Sequence, residues 1–411
     1  VFKHCHTSTS TQSSSDPPNA TWTDLWREPN QPKRATTAAT GWVVGRPADT
    51  RYRVTRGDNH NRRTWASPIP APRAVAVAGT KRVVSGLVEQ RPLGLSGLEV
   101  SRLGLGTMTW GTGSDFDTED AATQLTTFTE AGGTLVDTAD VYGQGAAEAV
   151  LGELLDKVVP RIDVHIATKA GVVAQGQRRR NTSRGHLLSA LDASLARLGT
   201  DYVDLWQLHV NDPDTPMEET LATLDMAITS GRARYVGLSN HTGWQTGRAV
   251  SWQRAWPGRA PIVAAQVEYS LVQRGIEREV LPACLAMDVG ILAWSPLGRG
   301  VLTGKYRFGR PSDSRASSPQ WSRFVSSYLD DRSAGIVEAV ATAADGLGVT
   351  PLDVALAWVR DQPGVTCAVV GARNAAQLRS ALMAEAVFLP PEIRLALADV
   401  SAPDPGYPES H

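Results

Sequence analysis

The chain predicts an α/β protein closed as a (β/α)8 TIM barrel and preceded by a β-hairpin, and three observations carry that expectation. Eight short β-rich runs recur at 102–105, 134–137, 164–168, 203–208, 233–238, 262–266, 291–294 and 366–370. Longer amphipathic stretches lie between them, among them 119–131, 147–157, 184–198, 217–230, 277–287 and 336–347. Ahead of the first run, Pro92-Leu93-Gly94 and Leu98-Glu99-Val100 flank Ser96-Gly97, the pattern of a hairpin with a glycine turn. Strands alternating with helices build a parallel sheet, and a count of eight favours a closed barrel over an open one.

The 411 residues fall into three stretches: an extension over 1–87, the barrel over 88–400 and a tail over 401–411. The extension carries 13 Lys/Arg against 5 Asp/Glu, whereas the rest carries 28 against 37, so the two parts differ in kind. Ser/Thr clusters, proline-flanked stretches and isolated tryptophans without a period of 2 or 3.6 predict that 1–87 is disordered. No apolar core follows a basic start, which argues against a secretory signal, although the Arg- and Ser-rich composition superficially resembles a transit peptide. The chain begins at Val1 and its first methionine is Met108, so we expect a misplaced start, with translation beginning near Val88. The mass of the native protein decides this. His4-Cys5-His6 lacks a second ligand pair for a metal.

Composition narrows the function. With 42 % hydrophobic and 20 % charged residues the chain suits a globular protein rather than a coiled coil or a disordered one. A net charge of -1 provides no field for nucleic acid or an anionic membrane, and no run approaches eighteen consecutive apolar residues. Cys5, Cys284 and Cys367 are far apart, as suits a reducing cytoplasm rather than a disulfide framework. A Rossmann fingerprint is absent, because Gly104-Leu105-Gly106 is followed by Met108-Thr109 and not by a third glycine. Gly304-Lys305-Tyr306 is no P-loop either, since position 299 is Arg and position 306 is neither Ser nor Thr.

In a barrel, chemistry belongs at the C-terminal ends of the strands, and here those ends are polar. They read Asp137-Thr138-Ala139-Asp140-Val141-Tyr142, Thr168-Lys169, Gln207-Leu208-His209 and Ser239-Asn240. A tyrosine, a lysine, a carboxylate and a histidine converging on one barrel mouth form an acid/base set. A phenol titrates near pH ~10, so it needs a nearby cation to exchange protons at neutral pH, and Lys169, oriented by Asp137, supplies one. A lysine on a barrel strand could alternatively form a Schiff base, but one paired with a carboxylate is a poor amine nucleophile.

Asp137 to Tyr142 followed by Gly145-Ala146-Ala147-Glu148, then Lys169, His209 and Gly237-Leu238-Ser239-Asn240, resemble the aldo-keto reductase superfamily in order and spacing. The resemblance runs from about Gln90 to about Leu389. It includes Leu105-Gly106-Thr107, Ser194-Leu195-Ala196-Arg197-Leu198-Gly199, Trp294-Ser295-Pro296-Leu297 and Gly304-Lys305-Tyr306. Through Trp294-Ser295-Pro296-Leu297 and Gly371-Ala372 the chain is also similar to the potassium-channel β-subunit-like members, which offers a redox-sensing regulatory subunit as the alternative.

The resemblance implies a hairpin capping the barrel bottom and NADPH-dependent reduction of a small carbonyl substrate in the cytoplasm. Tyr142 would be the general acid, Lys169 and Asp137 would tune it, and His209 would orient the carbonyl. Ser239, Asn240 and Gln266 would bind the carboxamide, and Trp294 would stack on the nicotinamide. Ser295, Pro296, Leu297, Gly298 and Gly300 would run along the pyrophosphate with Lys305 and Arg315 nearby, and Thr107 would line the cofactor. Gly371, Arg373 and Gln377 would take the adenosine end, with Arg373 on the 2′-phosphate. Ser380 and Ala381 depart from the Glu and Asn that many relatives carry for the adenine. Trp110 and the loops 174–181 and 307–331 would shape the substrate pocket, and Arg178-Arg179-Arg180 could attract an anionic substrate, although three arginines on a loop are more often simply solvated.

Overall fold

In the computed structural model, residues 88–411 are described apart from 113–115, 175–177, 313, 318–320, 405, 408–411 and the side chain of Arg315. The expectations for 1–87, including its disorder, the start at Val88 and the His4-Cys5-His6 cluster, fall outside the described residues.

Strands β1 (Gln90–Pro92) and β2 (Glu99–Ser101) pair antiparallel as the expected hairpin, and the Leu93 amide donates to the Leu98 carbonyl at 2.8 Å. Eight parallel strands then close on themselves: β3 (Leu103–Gly106), β4 (Leu135–Asp137), β5 (His165–Ala170), β6 (Val203–Leu208), β7 (Ala233–Ser239), β8 (Ile262–Glu268), β9 (Gly290–Trp294) and β10 (Val365–Val370). The seam is β10 against β3, with Val370 opposite Leu105.

The hairpin plugs the lower end of this barrel. Gly94 lies in the left-handed region at φ +58, and a Cβ there would approach the Val263 and Asp288 carbonyl oxygens to 2.6 and 2.7 Å, so only glycine fits. Leu93, Leu98 and Val100 pack with Leu135, Leu205, Leu292 and Cys367 into an apolar cluster inside the barrel. Sealing one end leaves the opposite mouth, where the strands finish, as the place open to ligands.

The surrounding helices are α1 (Thr118–Glu130), α2 (Ala146–Leu154), α3 (Arg184–Leu198), α4 (Met217–Thr229), α5 (Gly243–Arg254) and α6 (Val280–Ala286). After β9 come α7 (Ser322–Ser326), α8 (Asp331–Leu347) and α9 (Pro351–Arg360), and after β10 come α10 (Ala375–Met383) and α11 (Pro391–Val400). Three boundaries differ from expectation for physical reasons. Helix α2 stops at Leu154 because Leu155 turns extended and Asp156 takes φ 59. Helix α6 cannot begin at 277, because Pro282 is tolerated only in a first turn, and 275–278 forms a separate 3-10 turn. Helix α8 starts five residues before 336, where the Asp330 carboxylate caps the Ser333 amide at 2.7 Å. No single described helix is long and apolar enough to cross a membrane.

Candidate active site

The polar strand ends meet at the open mouth. Lys169 on β5 is fully buried, and its ammonium donates to Asp137 Oδ2 at 2.8 Å, the Thr138 carbonyl at 2.7 Å and Tyr142 Oη at 3.2 Å. Three donors thus meet three acceptors, which makes burial of the charge tolerable. Asp137, closing β4, accepts from Gln266 Nε2 of β8 at 2.7 Å through its other oxygen, so the carboxylate is held from both sides of the barrel. Tyr142 lies on a tight turn after β4, and the His209 ring stands edge-on to it with centroids 6.0 Å apart.

Protonation follows from these neighbours. Burial alone would lower the Lys169 pKa, but the Asp137 carboxylate and the Tyr142 phenol reverse that and raise it, so the lysine is an ammonium. A buried, carboxylate-paired ammonium with no lone pair is no Schiff-base nucleophile. Tyr142 is raised above the usual phenol value by burial, with Lys169 pulling the other way. The cation therefore restrains the rise rather than bringing the phenol toward neutrality, and Tyr142 rests as a protonated acid. His209 is lowered well below the ordinary imidazole value by burial first and by Lys169 second, so its ring is neutral at pH 7.

His241 resembles it: burial lowers its pKa to about 4, although its Nδ1 lies 2.9 Å from the Ser239 carbonyl. A histidine depressed in the fold contributes stability above its unfolded value near ~6.5 and loses it as the pH falls through the folded one. We therefore expect the unfolding free energy to drop between pH 7 and 4.5, with about 2 to 3 kcal/mol from His241. Urea titrations of the wild type and of His241→Gln should show that the variant lacks this share of the slope.

A cleft of about 400 Å³ opens over this set and runs along the strand ends to α10. Asp137, Tyr142 and His209 line it together with Ser239, Asn240, Gln266 and Trp294, then Ser295, Pro296, Leu297, Gly300 and Lys305, and finally Gly371, Arg373 and Gln377. Asn240 and Ser295 leave their strands with φ of 56 and 51, which turns these short polar side chains into the mouth. Asn240 donates to the His209 carbonyl at 3.0 Å and accepts from Trp294 Nε1 at 3.1 Å, so the indole edge is fixed. At the far end the Asn374 side chain caps α10 by accepting from the Gln377 amide at 3.0 Å.

Other expected residues lie elsewhere. Trp110 is 1 % exposed and belongs to the hydrophobic core, so its place after the first strand reflects packing and not a pocket wall. Thr107 is buried, its hydroxyl donating to the Asp137 carbonyl at 3.2 Å, and it supports the site from behind. Gly298 is buried beside the cleft without lining it. The Arg178-Arg179-Arg180 run is exposed at Arg178 and neutralised in part. Arg178 pairs with Asp212 at 2.6 Å, Arg179 donates to the Ala174 carbonyl at 3.0 Å, and Arg180 sits in a β-bridge opposite Val172.

Arg299 was not among the anticipated cleft residues. Arg299 lines the cleft, pairs with Glu268 through two nitrogens at 2.9 and 2.7 Å, and lies 4.0 Å over the Phe324 ring. Trp321 and Phe324, within the expected pocket segment 307–331, add an aromatic wall, and Ser380 and Ala381 line the cleft beside α10. The only sequence hint of Arg299 is its position between Gly298 and Gly300. Among the described residues no group of three or more His, Cys, Asp or Glu could hold a metal ion.

The family model described as Aldo/keto reductase family matches residues 102–394. Two relatives from Oryza sativa subsp. japonica and Arabidopsis thaliana, each named "Probable voltage-gated potassium channel subunit beta", are 34% identical to the chain over 330 residues, 79% of this chain and 100% of each relative. With an eight-stranded parallel barrel plugged at its base and a Tyr142–Lys169–Asp137 cluster at its mouth, the chain belongs to the aldo/keto reductase family.

Proposed function

We propose that the protein reduces an aldehyde, ketone or keto-sugar to the alcohol with NADPH. The observation that carries this is the Tyr142 phenol, held by an ammonium and facing one end of a long cleft whose other end reaches Arg373. The donor set suits a dinucleotide. Asn240 and Gln266 offer amides at one end, Lys305 lies midway with backbone turns at Gly298 and Gly300, and Arg373 stands at the start of α10.

When bound, the cofactor supplies a hydride to the carbonyl carbon. Tyr142 gives its proton to the carbonyl oxygen, so that hydride plus proton yields the alcohol. Lys169 stabilises the phenolate left behind, and Asp137 keeps the lysine charged. Neutral His209 helps orient the oxygen without adding a second positive charge. These groups are in place before charge develops, so little reorganisation is required at the barrier.

Arg373→Ala should weaken NADPH binding more than NADH binding by about 1 to 3 kcal/mol, as expected for a charge-assisted contact to the 2′-phosphate. Equal losses in titrations of both cofactors would remove Arg373 from that role.

The two plant relatives are named as channel subunits, which keeps open a second reading, a regulatory subunit that reports cofactor redox state with little turnover. Loading the protein with NADPH and adding excess carbonyl distinguishes them. A reductase oxidises many equivalents, whereas a reporter oxidises about one and stalls on slow product release.

A further inference from the structure

We propose that Glu148 and Arg197 are positioning residues that hold the Tyr142 phenol against the Lys169 ammonium, an inference that rests on the reductase reading of this site. The turn carrying Tyr142 is an unusual one. Gly143, Gln144 and Gly145 follow in succession at φ 57, 58 and 94, all left-handed, and Gln144 has no glycine's freedom there. Such a path persists only where the surroundings over-determine it.

Arg197 supplies those surroundings. Projecting from the last turn of α3, its side chain crosses directly behind the turn, and a Cβ on Gly145 would meet Arg197 Cδ and Nε at 2.8 Å. Its guanidinium reaches Glu148 Oε2 through Nε at 2.8 Å and Nη2 at 2.7 Å. Glu148, on the first turn of α2, is wholly buried, and its other oxygen accepts from the Thr168 hydroxyl. Thr168 immediately precedes Lys169 on β5.

One chain of contacts therefore joins α3, the start of α2 and the strand that bears the lysine. It touches the turn that carries Tyr142 at Gly145 and ends on the residue before Lys169. The Asp140 Oδ1 atom is also buried here. Burial, then Glu148, raises the pKa of Asp140, and Arg197 opposes them. Tyr142 is thus faced by Lys169 from β5, Asp137 from β4, His209 after β6 and Asp140 on its own turn. Loss of Arg197 would loosen the turn and leave Glu148 uncompensated, and both effects disfavour the phenolate.

The test uses Arg197→Met and Arg197→Lys with two readouts. Ultraviolet difference titration, with Tyr142→Phe as the blank, follows ionisation of this one phenol without needing turnover. We expect its apparent pKa to rise by about 0.5 to 1 in Arg197→Met and by less in Arg197→Lys, which keeps the charge but not the two-nitrogen grip. In turnover assays, kcat should fall about 10- to 100-fold in Arg197→Met while the Kd for NADPH changes less than about twofold. A lower melting temperature with unchanged phenol titration and kcat would overturn the proposal. Should Arg197→Met fail to fold, Glu148→Gln/Arg197→Met buries no unpaired charge, and the same two readouts decide. If the wild type turns over no carbonyl, the reductase reading fails, and the titration still decides the positioning role by itself.

Discussion

Tyr142→Phe should lower kcat by a factor of about 10² to 10⁴ and leave the affinity for NADPH within about twofold of the wild type. The phenol contributes one proton donor at the cleft, and its removal leaves Asn240, Gln266, Lys305 and Arg373 along the rest of the cleft untouched. The substitution removes one oxygen from an 8 % exposed ring and keeps the ring's packing. The Lys169 ammonium keeps Asp137 and the Thr138 carbonyl as partners, so the fold should hold. Steady-state kinetics beside a fluorescence titration of NADPH separate the two effects. A variant that lost cofactor binding and turnover in equal measure would show that Tyr142 shapes the cleft instead of donating the proton.

Lys169→Met has the larger structural consequence. It removes the cation from a buried pair and leaves the Asp137 carboxylate with Gln266 as its remaining side-chain hydrogen-bond donor, a change that costs on the order of 3 to 5 kcal/mol. Turnover should fall as well, because the phenolate formed by proton donation loses its stabilising charge. The pH dependence has a definite sign. The folded pKa of Lys169 is raised, by Asp137 and Tyr142 against the opposing effect of burial. Its contribution is therefore fully present below the unfolded value near ~10.5 and is lost as the pH rises through the folded one. Denaturant unfolding at pH about 9, 10.5 and 11.5 should show the wild type losing stability above the unfolded value and approaching the variant. A constant gap between them across that range would show that the buried pair does not govern alkaline stability.

The barrel and the gathering of most candidate residues at one mouth were legible because both are written in short local patterns. Each strand is a brief apolar run, and the residues that serve the mouth follow directly at its end, as Asp137, Lys169, His209 and Ser239 do. Trp110 obeys the same rule of position yet points into the core, since the direction of a side chain after a strand depends on what packs beneath it. Arg299 and Arg197 were missed for a related reason. Their partners, Glu268 and Glu148, are 31 and 49 residues away, and nothing local marks a long-range ion pair. The late start of helix α6 is different, because Pro282 stood in the sequence and already forbade a helix running from 277. Arginines 178 to 180 show the same limit, because the local run reads as solvated or anion-attracting and cannot reveal that distant Asp212 pairs with Arg178.

The most direct test of the account is NADPH oxidation by the purified full chain, followed at the nicotinamide absorbance. The panel is aromatic aldehydes, ketones and keto-sugars, with Tyr142→Phe alongside. The account predicts repeated turnover on at least one carbonyl and its near-complete loss in the variant, with NADPH still bound. Turnover that survives the loss of the phenol would contradict it.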